Sequence, residues 1–380
     1  MRVGIVHNSL NSCGGGERVC LCTIEALKEL GHEVVLGTVE ATDWDRVERL
    51  SGSVVKPDLE LILLPFGFKL KMFGIYLRLL TLFMAGKFRK TCELTLNTHG
   101  DVLPIQADVI YMHFPTFALL KENPVNVKYG RSLFWRFYFA PFELLQRLLA
   151  KRFLQGTLLT NSGFSKNAIK RNTGRDALIL FPPVDTESFM MCSNDAEDVV
   201  VTCGRYSPEK NFEEVVTIAK LTPHARFYIV GAGSGKISES YYRKLQGIAE
   251  GAANVDLIRD LPFRSMLELY GRAKVYLHTM RGEHFGISVI EGMAAGLVPI
   301  VHRSGGPWHD ILQEKQGIHG FAYETPIEAA SYINLLLNNA DLRESIAERN
   351  RTYVHERFSR EAFKEGLRRI VKRCRLSSRS

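Results

Sequence analysis

Two successive series of short apolar strands, each strand leading through a loop into a helical segment, constrain this chain more than anything else in it. The first series begins at once. RVGIVH (2–7) reads as a buried strand, Cys13–Gly16 as a Gly-rich loop, and the residues to about Leu30 as a helix stopped by Gly31. EVVLGTV (33–39) is the next strand and completes a βαβ unit. Further strands are expected at 93–98, 107–113 and 158–162, then a helix from about Ser165, itself a natural N-cap. ESFMMCSNDAED (187–198) is polar and irregular and reads as a linker. The second series places strands at 199–204, 226–231, 254–258, 274–279 and 297–302. Its helices fall at 211–221, 238–250, 263–273, 287–295, 326–338 and 341–355, with Asn211 and Glu214 as a capping pair for the first. Such alternation calls for an α/β fold, and 380 residues suit two Rossmann-like domains facing a cleft.

Composition narrows the function classes. Hydrophobic residues make up 46% of the chain, enough for sizeable cores. The seven cysteines are scattered, which fits reduced thiols and neither a zinc site nor a disulfide framework. The chain opens on a strand, so no signal peptide is expected, and no run of about 18 uncharged apolar residues offers a membrane span. The net charge of +8 is uneven: segments 66–90, 128–154 and 357–380 carry +6, +5 and +7, leaving the remainder near −10. Blocks of this kind imply a polyanionic partner. Cations interleaved with Phe, Trp and Leu in the first two segments suit an anionic lipid surface. No nucleic-acid module is present, so nucleic acid is not expected.

The chemistry concentrates in EHFGISVIEGMAAGLVPIVHRSGGPWHD (283–310). Glu283 lies in a loop after a strand, and Glu291 about a turn into the following helix. Both are then at the carboxyl end of a parallel sheet, where open α/β folds bind ligands. The amides opening that helix favour phosphate. Carboxylates for hydroxyls, beside donors for phosphate, suit a nucleotide-sugar. Arg205 and Lys210, in the strand-end loop GRYSPEKN, can bracket a diphosphate as a fork and a mobile point charge. Gly14, Gly15 and Gly16 allow close ligand approach, although their spacing is not that of the dinucleotide fingerprint. Arg18 follows on the helix, within reach of an anionic group. Asp43 and Asp45 sit in a polar helix, DWDRVERL, and read as surface residues; no metal is expected.

The 283–310 block resembles the paired-glutamate motif of retaining glycosyltransferases of the GT-B fold, in the glycogen-synthase-like family 4. CGGGERV (13–19), HFPT (113–116), TNSGFSK (160–166), FPPVD (181–185) and GRYSPEKN (204–211) extend the resemblance over most of the chain. Its wording is nearest the branch that adds α-1,2-mannose to a dolichol-linked oligosaccharide. The resemblance implies an acceptor-binding domain at 1–186, a nucleotide-sugar domain at 187–358, and a basic segment at 359–380 whose helix crosses back to the first domain. It assigns Glu291 to the ribose hydroxyls and Glu283 to the donor sugar. Backbone amides of His284, Phe285, Gly286 and Ile287 would face the sugar and phosphates. Arg205 and Lys210 would stabilise the leaving diphosphate. Gly15 and Gly16 would approach the donor, and Gly14 and Arg18 the acceptor. His113 would face the donor sugar or its β-phosphate, so that the catalytic set is His113, Glu283, Arg205 and Lys210. The expected activity is transfer of mannose from GDP-mannose to a lipid-linked sugar at the cytoplasmic membrane face, by a protein bound peripherally there and needing no cofactor. A UDP-sugar donor with another acceptor, or a sugar-nucleotide epimerase of the same plan, are the alternatives.

Overall fold

A computed structural model describes residues 1–51, 54–64, 79, 81–100, 105–115, 133–192, 196–233 and 235–377. Much of the basic segment 66–90, the beginning of 128–154, and Thr116 therefore lie outside the described residues. The elements of the first series are β1 (Arg2–Val6), α1 (Gly15–Glu29), β2 (Glu33–Thr38), α2 (Trp44–Ser51), β3 (Leu59–Ile62), α3 (Thr81–Thr91), β4 (Leu94–Asn97), β5 (Val109–Met112), α4 (Leu133–Phe153), β6 (Thr157–Thr160), α5 (Gly163–Thr173) and β7 (Leu178–Ile179). Next come α6 (Thr186–Met190), β8 (Val199–Arg205), α7 (Phe212–Leu221), β9 (Arg226–Ala232), α8 (Lys236–Ala249), β10 (Val255–Arg259), α9 (Phe263–Arg272), β11 (Val275–His278), α10 (Ile287–Ala294), β12 (Val298–His302), β13 (Phe321–Tyr323), α11 (Pro326–Asn338), α12 (Ala340–Phe358) and α13 (Arg360–Ser377). They divide into two units: Met1–Pro183 with Arg360–Ser380, and Val184–Ser359. The junctions fall at 183/184 and 359/360, against 186/187 and 358/359 expected from the sequence.

In the first unit the strands run β3-β2-β1-β4-β5-β6-β7, with parallel pairing throughout. Alternation along β1 shows how each face is covered. Val3 and Ile5 join Val19, Ile24 and Leu27 of α1 and Phe363, Leu367 and Val371 of α13 in one core. Val6 turns the other way, toward Met84, Ala85 and Phe88 of α3 and Phe139 and Phe142 of α4. Gly4 lies on that second face because a Cβ there would come within 2.8 Å of the Phe88 ring.

The last helix belongs to the first unit, as expected. Its apolar residues recur four apart, and its charges meet acids of α1. Lys364, almost fully buried, reaches Glu25 and Glu29 at 2.7 Å each and Glu361 at 2.9 Å. Arg360 pairs with Glu25, and Arg368 with Glu29 at 2.6 Å. Part of the basic charge at 357–380, expected to serve a polyanionic partner, is thus met by acids inside the fold.

In the second unit the order is β10-β9-β8-β11-β12-β13, again parallel. Its core spans Val200, Phe227, Leu277 and Ile300 of the sheet and Phe212, Leu245, Ile333 and Leu336 of the helices. Three local expectations change. Ser162, rather than Ser165, caps α5: its hydroxyl accepts from the Ser165 amide at 3.0 Å. The start of the expected linker is the helix α6, capped by Asp185 and anchored by buried Phe189, whose ring meets Phe263 and Tyr270. Asn211 is left-handed (φ 53°) and bonds the Glu214 side chain at 2.8 Å rather than capping α7 with its own. The short strands β3, β7 and β13 were not anticipated.

Candidate functional site

Strand order positions the site. In the second sheet β9 and β10 lie to one side of β8, and β11 to the other. The order of strand addition reverses after β10, so that β11 lies parallel beside β8 and the loops leaving those two strands are neighbours. Such a switch point is where open α/β sheets bind ligands. Lys210 sits on the first loop, in a short turn at Pro208–Lys210, and Glu283 on the second.

The two side chains meet. Lys210 Nζ donates to Glu283 Oε2 at 2.6 Å, and both side chains are mostly buried. Gly204 makes room for the lysine stem: a Cβ there would lie 3.2 Å from Lys210 Cδ. The Thr279 hydroxyl donates to the Lys210 carbonyl at 2.8 Å and ties the two loops together. His278, the last residue of β11, places its Nε2 3.6 Å from the same Glu283 oxygen. Burial alone would raise the Glu283 carboxyl, but the Lys210 ammonium overrides it and holds the group down at about 2. Burial, reinforced by Lys210, pushes His278 down to about 4. At neutral pH Glu283 is therefore a carboxylate and His278 a neutral imidazole.

The Glu283 loop is clamped from outside. Gly306 N donates to the Glu283 carbonyl at 2.7 Å, and Ser304 Oγ accepts from Gly282 N at 2.9 Å. A Cβ on Gly305 would fall 2.4 Å from the Glu283 carbonyl oxygen, and one on Gly306 2.4 Å from that of His284. Gly286, at φ +106°, turns the chain into α10. α10 begins at Ile287, shortly after the loop that carries Glu283, and its first amides have no carbonyl a turn back within the helix. The His284 amide donates to Glu283 Oε1 at 3.2 Å. Phe285 buries its ring against Phe358, 5.6 Å between centroids. Glu291 is buried on α10, near enough to Tyr270 and Tyr276 that its charge adds to burial in raising both hydroxyls.

Arg205 stands apart from this cluster. Its side chain is 78% exposed, and Glu209 is 3.7 Å away. In the first unit, Gly14 precedes α1, and its amide donates to Glu17 Oε2 at 2.8 Å. Gly15 and Gly16 open the helix. Gly16 faces His113 closely: a Cβ would lie 3.3 Å from its Nε2, a buried nitrogen with no hydrogen-bond partner among the described residues. Arg18 is half-buried, its amide bonded to the Gly14 carbonyl at 3.0 Å. Asp43 accepts from the Arg46 amide at 3.0 Å and so caps α2. Sequence reasoning passed over His278 and Gly204. The only signal for His278 was a histidine ending an apolar strand five residues before Glu283.

Residues 185–353 match the family model described as glycosyl transferases group 1. The human GDP-Man:Man(3)GlcNAc(2)-PP-Dol alpha-1,2-mannosyltransferase is 25% identical, over 96% of this chain and 85% of its own length. The Dictyostelium discoideum protein of the same name is 22% identical over 97% and 84%. Among solved structures, sucrose-phosphate synthase from Thermosynechococcus elongatus aligns at TM-score 0.76 and 14% identity, covering 100% of both chains. Anabaena HepE in complex with UDP aligns at 0.73 and 15%, covering 98% of this chain and 100% of its own. WaaG, a glycosyltransferase involved in lipopolysaccharide biosynthesis, aligns at 0.69 and 16%, covering 96% and 98%. These likenesses establish the GT-B fold.

Proposed function

We propose that this glycosyltransferase, built on the GT-B fold with a group 1 domain as its second unit, transfers mannose with retention from GDP-mannose to a lipid-linked oligosaccharide. The observation that carries the reading is the Lys210–Glu283 pair at the switch point of the second sheet, within the matched domain. Near full-length similarity to mannosyltransferases whose name specifies GDP-Man and a dolichol-linked acceptor supports the choice of sugar and acceptor.

Each residue has a job in that reaction. Glu283, held ionised, accepts hydrogen bonds from donor-sugar hydroxyls, while Glu291 accepts from the ribose. The diphosphate competes with Glu283 for Lys210, so binding moves positive charge onto the leaving group, where negative charge develops as the glycosidic bond breaks. Exposed Arg205 and the first amides of α10 complete the phosphate site. His113, with its unpartnered nitrogen beside the opening turn of α1, bonds the donor sugar or its β-phosphate. Gly14 and Arg18 flank the acceptor. No metal takes part in this scheme, and the protein works as a peripheral protein on the cytoplasmic membrane face.

A thermal-shift panel of GDP- and UDP-sugars tests the donor, since a ligand that binds only the native state raises its stability by mass action. GDP-mannose should give the largest shift, and mannosyl transfer to a lipid-linked acceptor should persist in excess EDTA. A larger shift with a UDP-sugar, or donor rearranged without an acceptor, would overturn the reading.

A further inference from the structure

Among the described residues, α4 is apolar on two opposite faces, of which one is buried and the other exposed. Phe139 and Phe142 pack with Val6, Val35 and the α3 residues Met84 and Phe88, and Gln146 on the same side is buried too. Half a turn round the helix, Leu133, Phe137, Leu144 and Leu148 are 71%, 76%, 61% and 57% exposed. Their spacings of four, seven and four keep them on one stripe, and exposed Ala140 and Pro141 fill its centre. Single exposed apolar residues are ordinary, but a ladder of four running the length of one helix is not.

α3 shares the core of α4 and leaves Phe83, Gly86, Lys87 and Lys90 exposed, again on one helical stripe. Phe83 is 73% exposed. Arg136 flanks the α4 ladder and is exposed as well. Among the described side chains, the apolar ladder is thus accompanied by the exposed cations Arg136, Lys87 and Lys90, with the half-buried Glu143 on the same flank as Arg136.

We propose that the outer faces of α3 and α4 form the surface by which this protein rests on an anionic lipid bilayer. The charge decides the occupant. A second copy would bring the same cations against themselves, whereas anionic headgroups complement them. Among the described residues no helix is long and apolar enough to cross a membrane, so α4 lies in the plane of the interface. The inference deepens the proposed function, because it specifies where a lipid-linked acceptor would be met, but its test is independent of the donor.

Sedimentation of the full chain with phosphatidylcholine vesicles, with and without phosphatidylglycerol, reads the surface directly. Wild type should bind the anionic vesicles more tightly. Phe137→Ser with Leu144→Ser should weaken that binding at least about tenfold, at any salt. Lys87→Ser or Lys90→Ser should weaken it about fivefold each, at low salt only. An indole introduced by Phe137→Trp should be quenched by brominated lipid. Unchanged binding of the Phe137/Leu144 variant, or indifference of wild type to both vesicles, overturns the proposal. So does a wild-type dimer in velocity sedimentation that the same variant dissociates, which would assign the facet to a second copy. The GDP-mannose thermal shift is measured on the same samples. Its absence beside intact vesicle binding would remove the mannosyl reading and leave this surface standing.

Discussion

Lys210 and Glu283 lie 73 positions apart in the chain and 2.6 Å apart in space, and each keeps the other's charge tolerable in a mostly buried setting. Lys210→Met should leave a carboxylate without its counter-charge and destabilise the second unit by up to about 3–5 kcal/mol. The loss should be largest at neutral pH, since a lone buried carboxyl binds a proton more tightly than an unfolded one. Adding Glu283→Gln should recover much of it. Chemical denaturation of the single and double variants decides the matter, and no recovery in the double variant would mean that the pair is not the source. His278 gives a second handle. Its folded pKa, about 4, is below the ordinary 6.5, so between these values the unfolded chain binds the extra proton. Stability therefore rises with pH through that window, and His278's share is lost as the pH falls from 6.5 toward 4. His278→Asn should remove up to a few kcal/mol of the stability change across that window, leaving the part due to His302 and His319, which are also depressed. An unchanged slope in the variant would show that His278 is charged in the fold.

The Gly305-Gly306-Pro307 turn acts as one element on another. It holds the loop of Glu283 by the Gly306 N–H bond and by the absence of two Cβ atoms. Gly306→Ala needs no unusual φ, because the residue is already right-handed helical at −60°. Its methyl would instead meet the His284 carbonyl, so the loop must move. The expected result is a drop in turnover of at least about tenfold, as misplacement near 1 Å commonly causes, with the second unit still folded. Normal turnover in that variant would show that the clamp is slack. At this level the sequence was easiest to read. The strand–helix alternation located the main sheet strands and most helices of the second unit within a few residues, because buried parallel strands are apolar throughout and their helices are amphipathic. The short edge strands β3, β7 and β13 carry two to four residues each, too few for a pattern. α6 was hidden by its polar composition, although one buried phenylalanine holds it in place.

For the molecule as a whole, the site was legible in kind and less so in contact. Two glutamates, a lysine and glycine-rich turns could be named from spacing. That Lys210 would pair with Glu283 while Arg205 stood exposed depends on strand order, which local sequence does not encode. The path of the chain also matters. The first unit is interrupted by the second and completed by α13, whose Phe363, Leu367 and Val371 fill the core beside α1. A chain ending at Ser359 should lose the cooperative unfolding of its first unit, while GDP still stabilises the second; hydrogen exchange resolved along the chain would show it. Retained protection of α1 in that truncation would contradict the assignment of α13 to this core. During synthesis, domains usually fold from the amino end, but here the ribosome delivers all of the second unit before the helix that finishes the first. The second unit can thus be complete while the earlier-made one still exposes the apolar side of α1, and a nascent chain stalled near residue 359 is the species that most needs a chaperone.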